Sequence, residues 1–233
     1  MKELIVIFKD EVGQIFRSRK ILYMAAISAL ILAIVYSTKV VQLGILILFD
    51  PENELNIYSL VTYYTLYIAI PIISTLFSYD IISGAQKNLR FLASRYSRSS
   101  IILGRFFANY ITLTCFILLI TIGTTLFSFW KTQNMDLKHS FFGFVFLGIF
   151  LLAWMSINLI ISTICHTNSK SLYMSFAVSI MLIVVSQTKF AFLSPYKFFS
   201  HFGVLESTTI TPLICFFIVL VPLSVYIFWR RDL

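Results

Sequence analysis

Apolar residues in this chain fall in long blocks, with the polar residues collected in the short stretches between them. Blocks at residues 21–38, 57–79, 101–129, 141–164, 171–188 and 210–229 each come close to or exceed the roughly 20 residues a helix needs to cross a hydrocarbon core. The pattern predicts an all-α integral membrane protein with six transmembrane helices. Val40 to Phe49 either lengthens the first span or lies along the far interface. An extension with a bend, giving a first span over 21–49 that ends at the acidic turn Asp50, Pro51, Glu52, Asn53, Glu54, is the favoured reading.

Ahead of the first block the period changes. Leu4, Ile5, Phe8, Val12, Ile15 and Phe16 share one helical face, while Lys2, Lys9, Asp10 and Arg17 lie largely off it. This predicts an amphipathic interfacial helix over residues 1–20 that turns into the membrane at Arg17 to Lys20. Phe8, Phe16, Arg17, Arg19 and Lys20 are its candidate contacts with the bilayer. The plainer alternative is a positively charged anchor that only sets topology.

Composition supports the membrane assignment. The 233 residues are 59% hydrophobic and 12% charged, with mean hydropathy +0.90, against about 25% charged residues in soluble domains. The loops are too short for a soluble domain, so a single transmembrane domain over 1–233 is expected. The first apolar run lacks a small-residue cleavage site and is expected to stay.

Charge then orients the chain. In this topology Lys2, Lys9, Arg17, Arg19, Lys20, the basic loop after the second span, Lys170, Arg230 and Arg231 share one side, whereas acids divide evenly. The net charge of +8 therefore sits on the inner face, and both termini are expected in the cytoplasm. That charge is topological and gives no argument for nucleic acid, although it suits anionic lipid headgroups.

Chemistry is scarce along the spans. No Asp, Glu, Lys or Arg lies near the middle of any of them, which excludes the ionisable relays of ion-coupled pumps. Asn109, Asn158 and Gln187 either line a substrate path or join helices by hydrogen bonds, the commoner use of such groups. Ala25, Ala29 and Ala33 form a small-residue face for a closely packed helix. His139, His166 and His201 fall in separate loops, and Cys115, Cys165 and Cys215 are odd in number and widely spaced. No catalytic or metal-binding set is predicted, and the thiols are expected to be buried and inert. No phosphate-binding G-x-x-x-x-G-K-[ST] loop occurs, so ATP chemistry needs a partner. The run Ile82, Ser83, Gly84, Ala85, Gln86 mimics an ATPase signature only by chance, since it abuts a span.

The loop over residues 80–100 stands out. Lys87, Arg90, Arg95 and Arg98, with Arg105 just beyond, face Asp80 alone. Asp80, Gly84, Leu89, Leu92, the Ser97–Arg98 pair and Leu103–Gly104–Arg105, followed at the end by Arg230, Arg231, Asp232 and Leu233, resemble the motif order of ABC-2-type transporter permease subunits. Ala85 stands where that family usually has Glu, and Tyr96 where Pro is common, which puts in doubt the polar contact made by the family Glu. The resemblance implies two permease subunits, the same or homologous, and two copies of an ATPase subunit that binds ATP and Mg. It also implies that residues 80–98 form a cytoplasmic coupling helix and that His166 to Ser171 make a smaller second contact. The implied coupling residues are Asp80, Gly84, Leu89, Arg90, Leu92, Arg95, Arg98, Arg105, His166 and Lys170.

The aromatic segment 189–209, interrupted by polar residues, reads as an outer re-entrant or interfacial element. The abundance of Phe and Tyr favours a hydrophobic or amphipathic cargo, such as a lipid-like molecule, an antibiotic or a membrane-active peptide. The expected function is export across the cell membrane; the alternative is a non-transporting scaffold or regulatory module.

Overall fold

The computed structural model describes residues 2–36, 57–82, 92–132, 137–165, 167–195 and 207–230. Among them are seven α-helices and no strand: α1 (Lys2–Arg17), α2 (Lys20–Tyr36), α3 (Ile57–Ser78), α4 (Arg98–Thr132), α5 (Leu137–Ile164), α6 (Asn168–Val185) and α7 (Ser207–Arg230). A short 3₁₀ turn, Ala191–Leu193, follows α6. Four helices, α4 to α7, are long and apolar enough to cross a membrane; α2 and α3 contribute shorter apolar stretches. The chain is a multi-pass membrane protein.

The helices coincide with the apolar blocks to within a few residues. Residues 37–56, including Val40 to Phe49, lie outside the described set, as does the outer segment beyond Pro195. In the part of that segment that is described, Phe190, Phe192 and Leu193 are exposed around the 3₁₀ turn.

α5 is the centre of the molecule, packed against α3, α4, α6 and α7. Phe150, Leu151, Ala153, Trp154 and Met155 on it are fully buried, and Tyr67 of α3 packs against Phe150 with the rings tilted and their centroids 5.0 Å apart. Aromatic contacts also join Phe106 of α4 to Phe217 of α7 at 6.0 Å. In a bilayer, where lipid tails are as apolar as leucine, such close packing and interhelical hydrogen bonds hold helices together.

The hydrogen bonds concentrate where α3, α5 and α6 meet. The α6 face toward α3 is the serine stripe Ser171, Ser175 and Ser179, all buried. Ser171 and Ser162 both donate to the Tyr79 carbonyl, at 2.6 and 3.0 Å. Thr75 and Ser179 lie 3.4 Å apart, and Asn158 Nδ2 donates to Ser74 Oγ at 3.3 Å. Small hydroxyl side chains allow the backbones to approach while meeting their polar needs.

Two expectations change. Ala25, Ala29 and Ala33 are exposed in the single chain; α2 packs through Met24, Ile27 and Ile31 instead. Cys115 and Cys215 are exposed and Cys165 half-buried, because these positions fall on outward faces of α4 and α7 and just past the end of α5.

Candidate functional site

One end of the bundle gathers the charged residues singled out in the sequence. The start of α2, the end of α3, the starts of α4 and α6, and the end of α7 all converge there, and α1 lies against them. The described stems of the α3–α4 connection, residues 79–82 and 92–97, both lie at this end.

Its departure point is fixed. Lys20, in the first turn of α2, pairs with Asp80 at 2.6 Å and donates to the Phe77 carbonyl at 3.3 Å. Ile81 and Ile82 are buried, Ile82 N donates to Ser162 Oγ at 3.0 Å, and Arg105 Nη1 donates to the Ile81 carbonyl at 2.9 Å. Its return point is fixed as well. Leu92 is half-buried against the core, and Arg98 Nη1 donates to the carbonyls of Trp229 (2.9 Å) and Phe228 (3.3 Å). Those carbonyls end α7, where a cation satisfies orphan acceptors and the negative end of the helix dipole together.

A length mismatch explains why α1 docks where it does. α4 has 35 residues, about 52 Å at 1.5 Å per residue, and so exceeds a hydrocarbon core of about 30 Å. Its two ends therefore cannot both lie within the core, and α1 packs along it beside Gly104 and Arg105 in its first turns. Gly104 makes the approach possible: a Cβ there would lie 2.9 Å from Ile7 Cγ2 and 3.3 Å from the Leu4 carbonyl oxygen. One turn of α1 further on, Glu11 Oε2 sits 3.3 Å from Arg105 Nε, with the two side chains 15% and 7% exposed. The contact is an ion pair whose angle falls outside hydrogen-bond geometry. Asn109 donates to the Arg105 carbonyl at 2.9 Å and lies beside Glu11.

Burial holds the Glu11 carboxyl above its ordinary range; Arg105 and Lys20 pull it down, Asp80 adds to the rise, and the Asn109 hydrogen bond opposes it. Desolvation therefore outweighs the attraction to the cations.

The implied coupling residues separate into groups. Asp80 and Arg105 bind other parts of the chain and Arg98 caps α7, so none of the three presents a free charge to a partner. Arg95 and Lys170 are exposed. Gly84, Leu89, Arg90 and His166 lie outside the described residues. Lys170 is in the first turn of α6, where Thr167 caps the helix by accepting from Lys170 N at 3.4 Å.

In α1 the contact face is centred on Leu4, Ile7, Glu11 and Ile15, so Phe16 is left exposed and Phe8 half-buried. Arg17 and Arg19 are exposed; Lys20 belongs to the ion pair. Glu11 carried no signal in the sequence beyond its position on the edge of an apolar face. In the structure its eight-residue spacing from Glu3 matches that of Arg105 from Ser97, whose N donates to Glu3 Oε2 at 3.2 Å.

A family model described as ABC-2 family transporter protein matches residues 5–233. The chain belongs to the ABC-2 transporter family. A search of curated proteins finds no match. This family supplies the membrane component of ABC transporters, not the ATPase, and its members work with an ABC ATPase partner. In this ABC-2 protein, the end of the bundle from which the α3–α4 loop emerges is thus the candidate docking face.

Two cavities lie away from that face. One, of about 200 Å³, lies between α4 and α5, where Thr121, Thr125 and Ser140 interrupt a lining of Leu, Ile and Phe. The other lies among α2, α3, α4 and α5, with Ser28 the polar residue in an apolar wall. Asn109, Asn158 and Gln187 line neither. Asn109 belongs to the Glu11–Arg105 cluster, Asn158 to the α3–α5 seam, and Gln187 is exposed beyond the end of α6.

Proposed function

We propose that this chain is the transmembrane subunit of an ATP-driven exporter of hydrophobic or amphipathic molecules in the cell membrane. It pairs with a second permease subunit, and each docks one ATPase subunit that binds ATP and Mg. All six helices α2 to α7 cross the bilayer, with both termini in the cytoplasm. The observation that carries this reading is the anchoring of both stems of the α3–α4 loop to a single end of the bundle. A loop that must transmit force between an ATPase and the spans needs rigid attachment at each stem, and a loop that only sets topology does not. The apolar character of the spans and the mainly apolar lining of the cavity between α4 and α5 support a hydrophobic or amphipathic cargo.

Affinity purification of the tagged protein from native membranes in mild detergent tests the reading. A soluble ATP-binding subunit at comparable abundance is expected. Charge reversal at Arg90 and Arg95, which spares the α7 cap made by Arg98, should reduce its recovery several-fold while the permease stays monodisperse. An intact permease that brings down no ATPase would favour a scaffold.

A further inference from the structure

We propose that Glu11 is a positioning residue that fixes the register of α1 on α4, so that α1 moves as one body with both stems of the coupling loop. The proposal rests on the reading of the α3–α4 loop as the coupling element. Its starting point is an acid, its side chain 15% exposed, set between the buried Ile7 and Ile15 of a helix that meets α4 at Gly104 through Ile7 and the Leu4 carbonyl.

The inward positions Leu4, Ile7, Glu11 and Ile15 recur at three- and four-residue spacing, and Ile7 with the Leu4 carbonyl meets α4 at the Gly104 notch. Apolar ridges alone set a helix register weakly, and sliding α1 by one turn would bring Glu3 or Glu11 to the notch in place of Ile7. Glu11 removes the ambiguity. It is the charged residue in the middle of that face, and it meets Arg105, which is itself fixed by the Ile81 carbonyl. Glu3 at Ser97 N repeats the alignment two turns away, and the matched spacing makes α1 parallel to the start of α4.

The resulting connections reach every stem. Arg105 joins α1 to the turn after α3; Lys20 and Asp80 join that turn to α2; Ser97 and Arg98 join the loop's return to α1 and α7. The groups that face Glu11 are Arg105 and Asn109 from α4, Lys20 from α2 and Asp80 from the α3 turn. A buried ion pair adds little net stability once desolvation is counted, but it distinguishes registers well, because a slipped register strands both charges.

The test uses the full chain in lipid nanodiscs with its three native cysteines replaced, and spin labels at Lys9→Cys and Leu119→Cys, both exposed sites. Pulsed dipolar spectroscopy should give one narrow distance distribution for the otherwise native chain. In E11Q a second population should appear, displaced by about 5 Å, one helical turn. E11D, which keeps the charge, should restore the single population. A distribution in E11Q identical to the native one would overturn the proposal, as would one broadened equally in E11D. Because no ATPase is present, this outcome is independent of whether the loop recruits one. In the complete transporter, E11Q should lower transport per ATP hydrolysed while leaving ATPase recovery unchanged.

Discussion

At the residue scale, Glu11 and Arg105 form one contact, yet the chain responds differently to the loss of each. Neutralising Glu11 leaves Arg105 with the Ile81 carbonyl, whereas neutralising Arg105 leaves a buried carboxylate without its nearest cation. Removing one partner of a buried pair typically costs about 3–5 kcal/mol; R105Q should approach that range, tempered by Lys20, and E11Q should not. The pH dependence follows from the direction of the Glu11 shift. Its folded pKa lies above the ordinary 4.5, so the folded protein binds this proton more tightly than the unfolded chain does. Stability from this group is therefore gained as pH falls from the folded pKa toward 4.5 and lost as pH rises through the same window. Thermal unfolding of both variants in detergent across that interval checks this. E11Q should match or exceed the native protein at neutral pH and lose that advantage on acidification, while R105Q should be less stable at neutral pH and recover part of the loss as Glu11 protonates.

At the scale of elements, α6 is held to its neighbours differently from α5. α5 is buried on most sides by aromatic and aliphatic groups, while α6 exposes Tyr173, Met174, Ile180, Met181 and Val184 and turns its serine stripe inward. The three serines are not equivalent. Ser171 donates to the Tyr79 carbonyl and Ser179 meets Thr75, but Ser175 Oγ, although buried, makes no hydrogen bond. S171A should therefore cost about 0.6 kcal/mol, the average for an interhelical hydrogen bond in a membrane, and S175A should be neutral or slightly stabilising. S175L should cost more than either, since the side chain has no room between α6 and α3. Steric-trap or denaturant unfolding in micelles would rank the three. The helices themselves were legible in the sequence because a span must be apolar for its whole length, a demand that leaves continuous blocks. Which face of each span packs was not. Ala25, Ala29 and Ala33 looked like the seam of α2, but lipid and protein are both apolar surroundings, so hydropathy cannot tell an outward face from an inward one. For the same reason Cys115 and Cys215 read as buried. The charged end was legible as a location, since water-facing charges must sit outside the hydrocarbon; its pairings were not, because Glu11 and Arg105, or Lys20 and Asp80, meet only once α1 and α2 fold back on the later helices.

At the scale of the whole molecule, the contacts at the charged end impose an alternation. Lys20 of α2 touches Asp80 after α3, Arg98 of α4 touches Trp229 of α7, and Ser162 of α5 and Ser171 of α6 share the Tyr79 carbonyl. Each contact places the start or end of its helix at that one end, so α2 to α7 run alternately up and down whether or not a bilayer surrounds them. If all six cross, Arg17, Arg95 and Lys170 belong to one aqueous side, and Lys131, Lys138 and Lys189 to the other. Single cysteines at these positions, placed in a chain lacking its native cysteines, should react with a membrane-impermeant maleimide in two groups. In intact cells the second group is expected to label and the first to stay protected until the membrane is permeabilised. Labelling that separates position 17 from positions 95 and 170 would mean that α2 or α3, the helices with shorter apolar stretches, does not cross. Coupling through this loop requires that arrangement, because an ATPase in the cytoplasm can pull on the α3–α4 loop only if Arg95 and Lys170 share its side of the membrane.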